Sequence, residues 1–173
     1  MTRFALARVA VGSVLALAIM AAPRAATAQN KATVLQPAAL QKLIPPRVFY
    51  RGQTTTTELR NSGGVEFGDG YYFLASLVDT SGYSNAVASK FDAYFITEVP
   101  LRVNGAELGA GAYGIGFLPG NQFALTDIGG HTVLTTESAT DNNLERPRPL
   151  EVVEQKDGKF RLYEGRRYVL LSR

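Results

Sequence analysis

The chain has no cysteine and no tryptophan, and it has a single histidine. Without cysteine there are no disulfides, no thiol nucleophiles and no thiolate metal sites. A lipid anchor of the lipoprotein kind is excluded as well, since it needs a cysteine after the leader. Zinc sites take three or four nitrogen and sulfur ligands, and one histidine has no second to share a metal with, so no metal or cofactor is expected. Long apolar runs are also scarce. The one that stands out, Val9 to Ala22, is shorter than the ~20 residues a bilayer span requires.

That run reads instead as the middle of an export signal. Arg3 and Arg8 make a positive start, and Pro23 and Arg24 end the apolar stretch. Ala26-Thr27-Ala28 then offers small residues at the two positions a signal peptidase inspects. The expectation is a helical signal peptide over residues 1–28, cleaved between Ala28 and Gln29. The protein is then periplasmic or secreted, with no membrane span after cleavage.

Cleavage also removes the charge surplus. Arg3, Arg8 and Arg24 are three of the 18 Lys+Arg, so the remaining chain carries 15 of them against 15 Asp+Glu. A nucleic-acid partner would call for a basic surplus and is excluded. The charges are segregated, however. Eleven acids and three bases lie between Glu58 and Glu145, and eight bases and four acids follow from Arg146 onward. Either the basic end packs beside the acidic middle, or it forms a cationic patch for an anionic ligand.

Residues 29–46 read as an arm, with about two helical turns from Gln36 to Leu43, Pro37 at a first helical position and Pro45-Pro46 as a stop. Residues 47–173 read as one antiparallel β domain. Val48–Arg51, Thr54–Leu59 and Val65–Phe67 are β-prone, and Asn61-Ser62-Gly63-Gly64 reads as a turn between the last two. Tyr71–Val78 is apolar on both faces, and Phe91–Val99 places Phe91, Ala93 and Phe95 on one face. Asn104-Gly105 between two short apolar runs is a hairpin signal of the type I′ kind. Further strands are expected at Ala112–Leu118, Gln122–Ile128, His131–Thr136, Leu150–Gln155, Lys159–Tyr163 and Arg167–Leu171. The fold class is therefore all-β, a sandwich or barrel of about nine or ten short strands. An outer-membrane barrel needs longer strands with cleaner alternation than these.

Gly82-Tyr83-Ser84-Asn85-Ala86 imitates a nucleophile elbow, with His131 and either Asp127 or Asp141 as its partners. That motif belongs to a parallel sheet with crossover helices, which this chain has neither the length nor the periodicity to build. Asp141-Asn142-Asn143-Leu144-Glu145 offers alternating oxygen ligands for calcium, but Arg146 stands where an EF-hand loop needs glycine. Tyr113, Ile115 and Phe117 alternate with Gly114 and Gly116, so one face of that strand is bare, either covered by a neighbour's side chain or open as a ligand groove. Arg146-Pro147-Arg148-Pro149 must be extended, because each arginine precedes a proline, and it presents two guanidinium groups to an anion. Tyr71, Tyr72, Tyr83, Tyr94 and Tyr113 are candidates for a sugar platform.

The stretch Leu108-Gly109-Ala110-Gly111-Ala112-Tyr113-Gly114-Ile115 resembles a strand entry found in many secreted bacterial β-sandwich domains of uncharacterised families. The resemblance implies the fold and nothing specific about activity. The leading functional expectation is an exported, non-catalytic binding or scaffold domain with an anionic or carbohydrate ligand at Tyr113, Gly114, Gly116, Arg146 and Arg148. The alternatives are a small β-fold hydrolase using carboxylates or Ser84, and a carrier of a small apolar ligand.

Overall fold

The computed structural model of the chain describes residues 31–173, so the expected signal peptide and its expected cleavage point between Ala28 and Gln29 lie outside the described residues. A two-residue strand, β1 (Thr33–Val34), precedes helix α1 (Pro37–Leu43), whose proline sits in the first turn as expected. The hairpin β2 (Arg47–Tyr50) and β3 (Gln53–Glu66) follows, then β4 (Tyr72–Val78), the single turn α2 (Asn85–Ala88) and β5 (Ala93–Thr97). Next come β6 (Leu101–Val103), β7 (Ala106–Leu108), β8 (Gly111–Leu118), β9 (Gln122–Asp127) and β10 (Thr132–Glu137). The chain ends with β11 (Ala139–Thr140), β12 (Arg148–Glu154), β13 (Phe160–Gly165) and β14 (Arg167–Ser172). Among the described residues there are fourteen strands rather than nine or ten, because several pairings involve segments of only two or three residues.

These strands make two antiparallel sheets, so the fold is all-β and sandwich-like rather than a barrel. The first runs β1-β3-β4-β5-β8-β9-β10, with β2 paired to β3. The second runs β12-β13-β14-β6-β7, with β11 paired to β14. Between them lies the main core, in which Phe73, Phe95, Ile115, Phe123, Leu162 and Val169 are almost wholly buried. Phe73 touches the rings of Phe67, Phe95 and Phe160 at centroid distances of 6.0, 5.7 and 6.1 Å.

The first sheet is also covered on its outer face, which explains why β4 is apolar on both sides. Phe73 and Ala75 point into the main core, whereas Leu74 packs on Leu40 and Ile44 of the α1 arm. Val78 joins Val48, Tyr50 and Phe91 in a separate outer cluster under the β2–β3 hairpin. Phe91 therefore does not share a face with Ala93 and Phe95. It lies before the strand begins, in the turn that leaves α2, and stacks on Tyr50 with ring centroids 3.7 Å apart.

The expected turn at Asn61–Gly64 is not a turn. β3 runs straight through it, pairing Ser62, Gly63 and Gly64 with Ser76, Ala75 and Leu74 after a register shift beyond Thr57. The two glycines are needed for close approach rather than for a bend. A Cβ on Gly63 would lie 2.7 Å from Val152 Cγ2 of β12, and one on Gly64 would lie 2.8 Å from the Phe73 carbonyl oxygen. The sandwich is closed on this side, where β12 of one sheet lies against β3 of the other.

Candidate functional site

The two sheets are joined by the chain itself at one corner. The chain leaves the first sheet at Glu137 and enters the second at Ala139, with Ser138 as the only residue between. A recess of about 450 Å³ lies at this corner, between the end of β10, the Asn104 turn and the outer face of β14. That volume is in the range of small-ligand sites.

Asn104 braces the corner. It adopts φ 48° and Gly105 φ 87°, as a type I′ turn requires, so the hairpin between β6 and β7 forms as the sequence indicates. Its side-chain nitrogen donates to the Glu137 carbonyl at 2.6 Å, and its side-chain oxygen accepts from the Leu170 amide at 2.8 Å. One residue thus ties both sheets together. Ser138 is 5 % exposed, its amide donates to the Asn121 carbonyl, and its hydroxyl oxygen has no hydrogen-bond partner among the described residues. Buried polar groups are nearly always paired, and this hydroxyl lies behind the recess lining, closed off from solvent.

Tyr168 and Leu170 supply the apolar wall. The Arg161 guanidinium lies 4.2 Å from the Tyr168 ring centroid and is held there by Asp141 Oδ2 and the Tyr163 hydroxyl, both at 2.9 Å. The Tyr163 hydroxyl, followed by the Asn143 amide and Arg161, keeps the Asp141 carboxyl below the usual carboxylate range. Burial pushes the Tyr163 hydroxyl up. The recess therefore offers one carboxylate (Glu137), an amide, two hydroxyl groups and an aromatic edge, a set suited to a polar ligand that is neutral or cationic.

The five residues singled out from the sequence are not gathered in this recess. Tyr113 turns its ring toward the main core and donates its hydroxyl to the Gly109 carbonyl at 3.0 Å. The bare face at Gly114 is filled. A Cβ there would lie 2.8 Å from Phe91, from Thr126 and from Tyr50, whose hydroxyl is hydrogen-bonded to Thr126 at 2.6 Å. Gly116 is covered by the backbone of Ser89 and Lys90. Arg146 is exposed in the loop before β12, and Arg148 opens that strand with its Nε 3.8 Å from Glu151.

The other motifs also resolve. Ser84 caps α2, with its carbonyl accepting from Val87 and Ala88, and no hydrogen bond among the described residues joins it to His131. His131 Nδ1 lies 3.0 Å from Asp127, whose carboxyl is held below the usual range chiefly by the His131 backbone amide. Arginine takes several oxygens of the 141–145 loop, the Asp141 carboxylate among them. Arg166 donates to the carbonyls of Asp141, Asn142 and Leu144 while Arg161 holds the Asp141 carboxylate.

Sequence reasoning did not find the recess. Asn104 read only as a turn former, and Ser138, Tyr168 and Leu170 carry no motif. The one available signal was a serine following Glu137 between two β-prone runs.

A second polar cluster joins the sheets near the end of β8. Arg167 donates to the Phe117 carbonyl at 2.6 Å and to the Glu164 carboxylate, and lies 5.3 Å from the Phe117 ring. Burial, followed by the charge of Glu164, pushes the half-buried Asp92 carboxyl up to about 6. Burial also raises Glu164, against the opposing pull of Arg167. With both sites described, comparison with known proteins brings no match to a protein-family model, to a curated protein or to a solved structure.

Proposed function

We propose that the protein is an exported, non-catalytic binding module of the periplasm or cell surface, with its ligand site in the recess where the chain crosses from one sheet to the other. The observation that carries this reading is the recess itself, built from both sheets and lined by polar residues of each. The residues around it are fixed by the Asn104 bridge and the Arg161–Asp141 pair, so the site is organised before any ligand arrives. The signal-like leader and the likeness of residues 108–115 to secreted β-sandwich domains support the compartment.

The test is a ligand panel read by amide chemical shifts of the chain from Gln29 onward, with oligosaccharides, basic and acidic peptides, and inorganic phosphate. Perturbations confined to Asn104, Glu137, Ser138, Tyr168 and Leu170 are expected for at least one class. A panel that leaves those residues unmoved sinks the reading. Export is checked separately, by N-terminal sequencing of the protein recovered from an exporting host, which should begin at Gln29. An anionic ligand would be held instead at Arg146 and Arg148, and replacing both by alanine should then abolish phosphate binding without lowering Tm.

One observation favours a second reading, a small hydrolase working through carboxylates. Asp92 and Glu164 are both raised by burial, and the charge of Glu164 raises Asp92 further, so the cluster can hold a proton as a general acid does. Turnover on a panel of glycosides and esters, lost in both Asp92→Asn and Glu164→Gln, would establish it. A wild type without turnover removes it. Carriage of an apolar ligand has less support, because the main core is filled and the recess beside Ile44 and Leu74 measures only about 10 Å³.

A further inference from the structure

The four strands that end the two sheets are not equally protected. β1 has two residues. β7 has three, and its Glu107 is paired with Arg102 at 2.7 Å. β12 opens with Arg148-Pro149 and lies against β3. Short edges, charge and proline are the usual devices that keep an edge from pairing with another chain. β10 has none of them from Thr132 to Thr136. Those residues are Thr-Val-Leu-Thr-Thr, β-branched but for one leucine, and Val133 is 50 % exposed. The register shift between Thr132 and Leu134 leaves a regular run from Leu134 to Glu137. That run ends where Asn104 takes the Glu137 carbonyl, and there the recess begins.

We propose that the outer edge of β10 and the recess at its end form one continuous site for an extended polypeptide segment carrying a basic residue. This rests on the recess being the ligand site. The backbone of the guest would add to the edge of β10 as another strand, the mode in which main-chain bonds give affinity and a side-chain pocket gives specificity. Because the regular run is only about four residues long, the recess must supply most of the selectivity. Glu137 is the charged residue in its lining, and its carboxylate suits a lysine or arginine side chain, whose stem would lie along Leu170.

The probe is a random peptide library displayed on phage, selected against the chain from Gln29 onward, with the consensus peptide then made synthetically. Selected sequences should alternate β-branched residues and contain a Lys or Arg at a fixed position. The synthetic peptide should slow amide exchange along β10. Glu137→Gln should weaken it by about tenfold, the loss expected of one charge-assisted hydrogen bond. Thr135→Lys, on an exposed position of the edge, should weaken it at least as much with the circular dichroism unchanged. If Thr135→Lys disturbs the fold, Glu137→Gln alone decides. Selection without a basic preference, or binding indifferent to Glu137→Gln, overturns the proposal. So does a concentration-dependent dimer abolished by Thr135→Lys, which would make a second copy the occupant. Recess shifts produced by oligosaccharides and never by peptides would sink this inference while leaving the binding reading intact. A recess that answers to nothing sinks both.

Discussion

Gly114 has no room for a side chain because three others already use the space. Tyr50 and Phe91 are stacked over it at 3.7 Å, and Thr126 closes the remaining side. Neither ring can retreat without breaking the stack or the Tyr50–Thr126 hydrogen bond. Gly114→Ala is therefore expected to cost about 2–3 kcal/mol through overpacking. The check is a urea titration in which the midpoint falls and the slope stays the same. Gly82→Ala, where a Cβ would meet nothing within 4 Å, serves as the neutral control. A Gly114→Ala protein as stable as wild type would mean the outer cluster is loosely packed. The bare face of this strand was legible from the alternation of glycine with large residues. What covers it was not. Tyr50 lies more than sixty positions earlier in the chain, and no local pattern says which hairpin folds over which strand.

Among the elements, the β6–β7 hairpin was the most legible and β3 the least. Asn-Gly has few backbone options between two short strands, and the turn formed as read. The sequence Asn-Ser-Gly-Gly is just as turn-like by composition, yet it lies inside a fourteen-residue strand. Its glycines answer to β12, which approaches from the other sheet, and propensity cannot register a neighbour that is distant in sequence. The same limit hid the recess, whose parts come from three separate stretches of chain. Asn104 does two jobs there, holding a left-handed turn and bridging the sheets. Asn104→Ala should lower stability by about 2–3 kcal/mol, combining the left-handed penalty with two backbone groups left unpaired. Asn104→Asp tolerates the turn and keeps the acceptor for Leu170, but it loses the donor to Glu137, so its loss should be smaller. Thermal unfolding of the pair separates the two contributions. Equal loss in both would place the whole effect in the Glu137 bond.

At the scale of the molecule, two ion pairs among the described residues join the basic end to the acidic middle, while Arg148, Lys159 and Arg167 meet acids of their own segment. Arg173 reaches Asp69 at 2.6 Å and Arg161 reaches Asp141, so basic residues of the last segment meet acids of the middle. Local and between-segment partners together set the pH dependence. Asp69, Asp127, Asp141 and Asp157 are held below the usual range, so the stability they contribute is present above about pH 4 and lost as pH falls below it. Asp92 acts in the opposite sense. With its folded value raised from 3.8 to about 6, the native state binds the proton more tightly than the unfolded chain does. Its contribution is complete below about pH 4 and is lost as pH rises to about 6, and Glu164 leans the same way. The two trends meet near pH 4 to 5, and stability should be greatest there rather than at neutrality. Asp92→Asn removes the second trend. It should raise stability at pH 7 by on the order of 1 kcal/mol, after allowing for solvent around a half-buried group. It should also flatten the urea midpoint between pH 4.5 and 7 and leave the acid limb untouched. Were the mutant to keep the wild-type slope across that interval, the proton linkage would have to lie with Glu164, and Glu164→Gln would be the variant that flattens it.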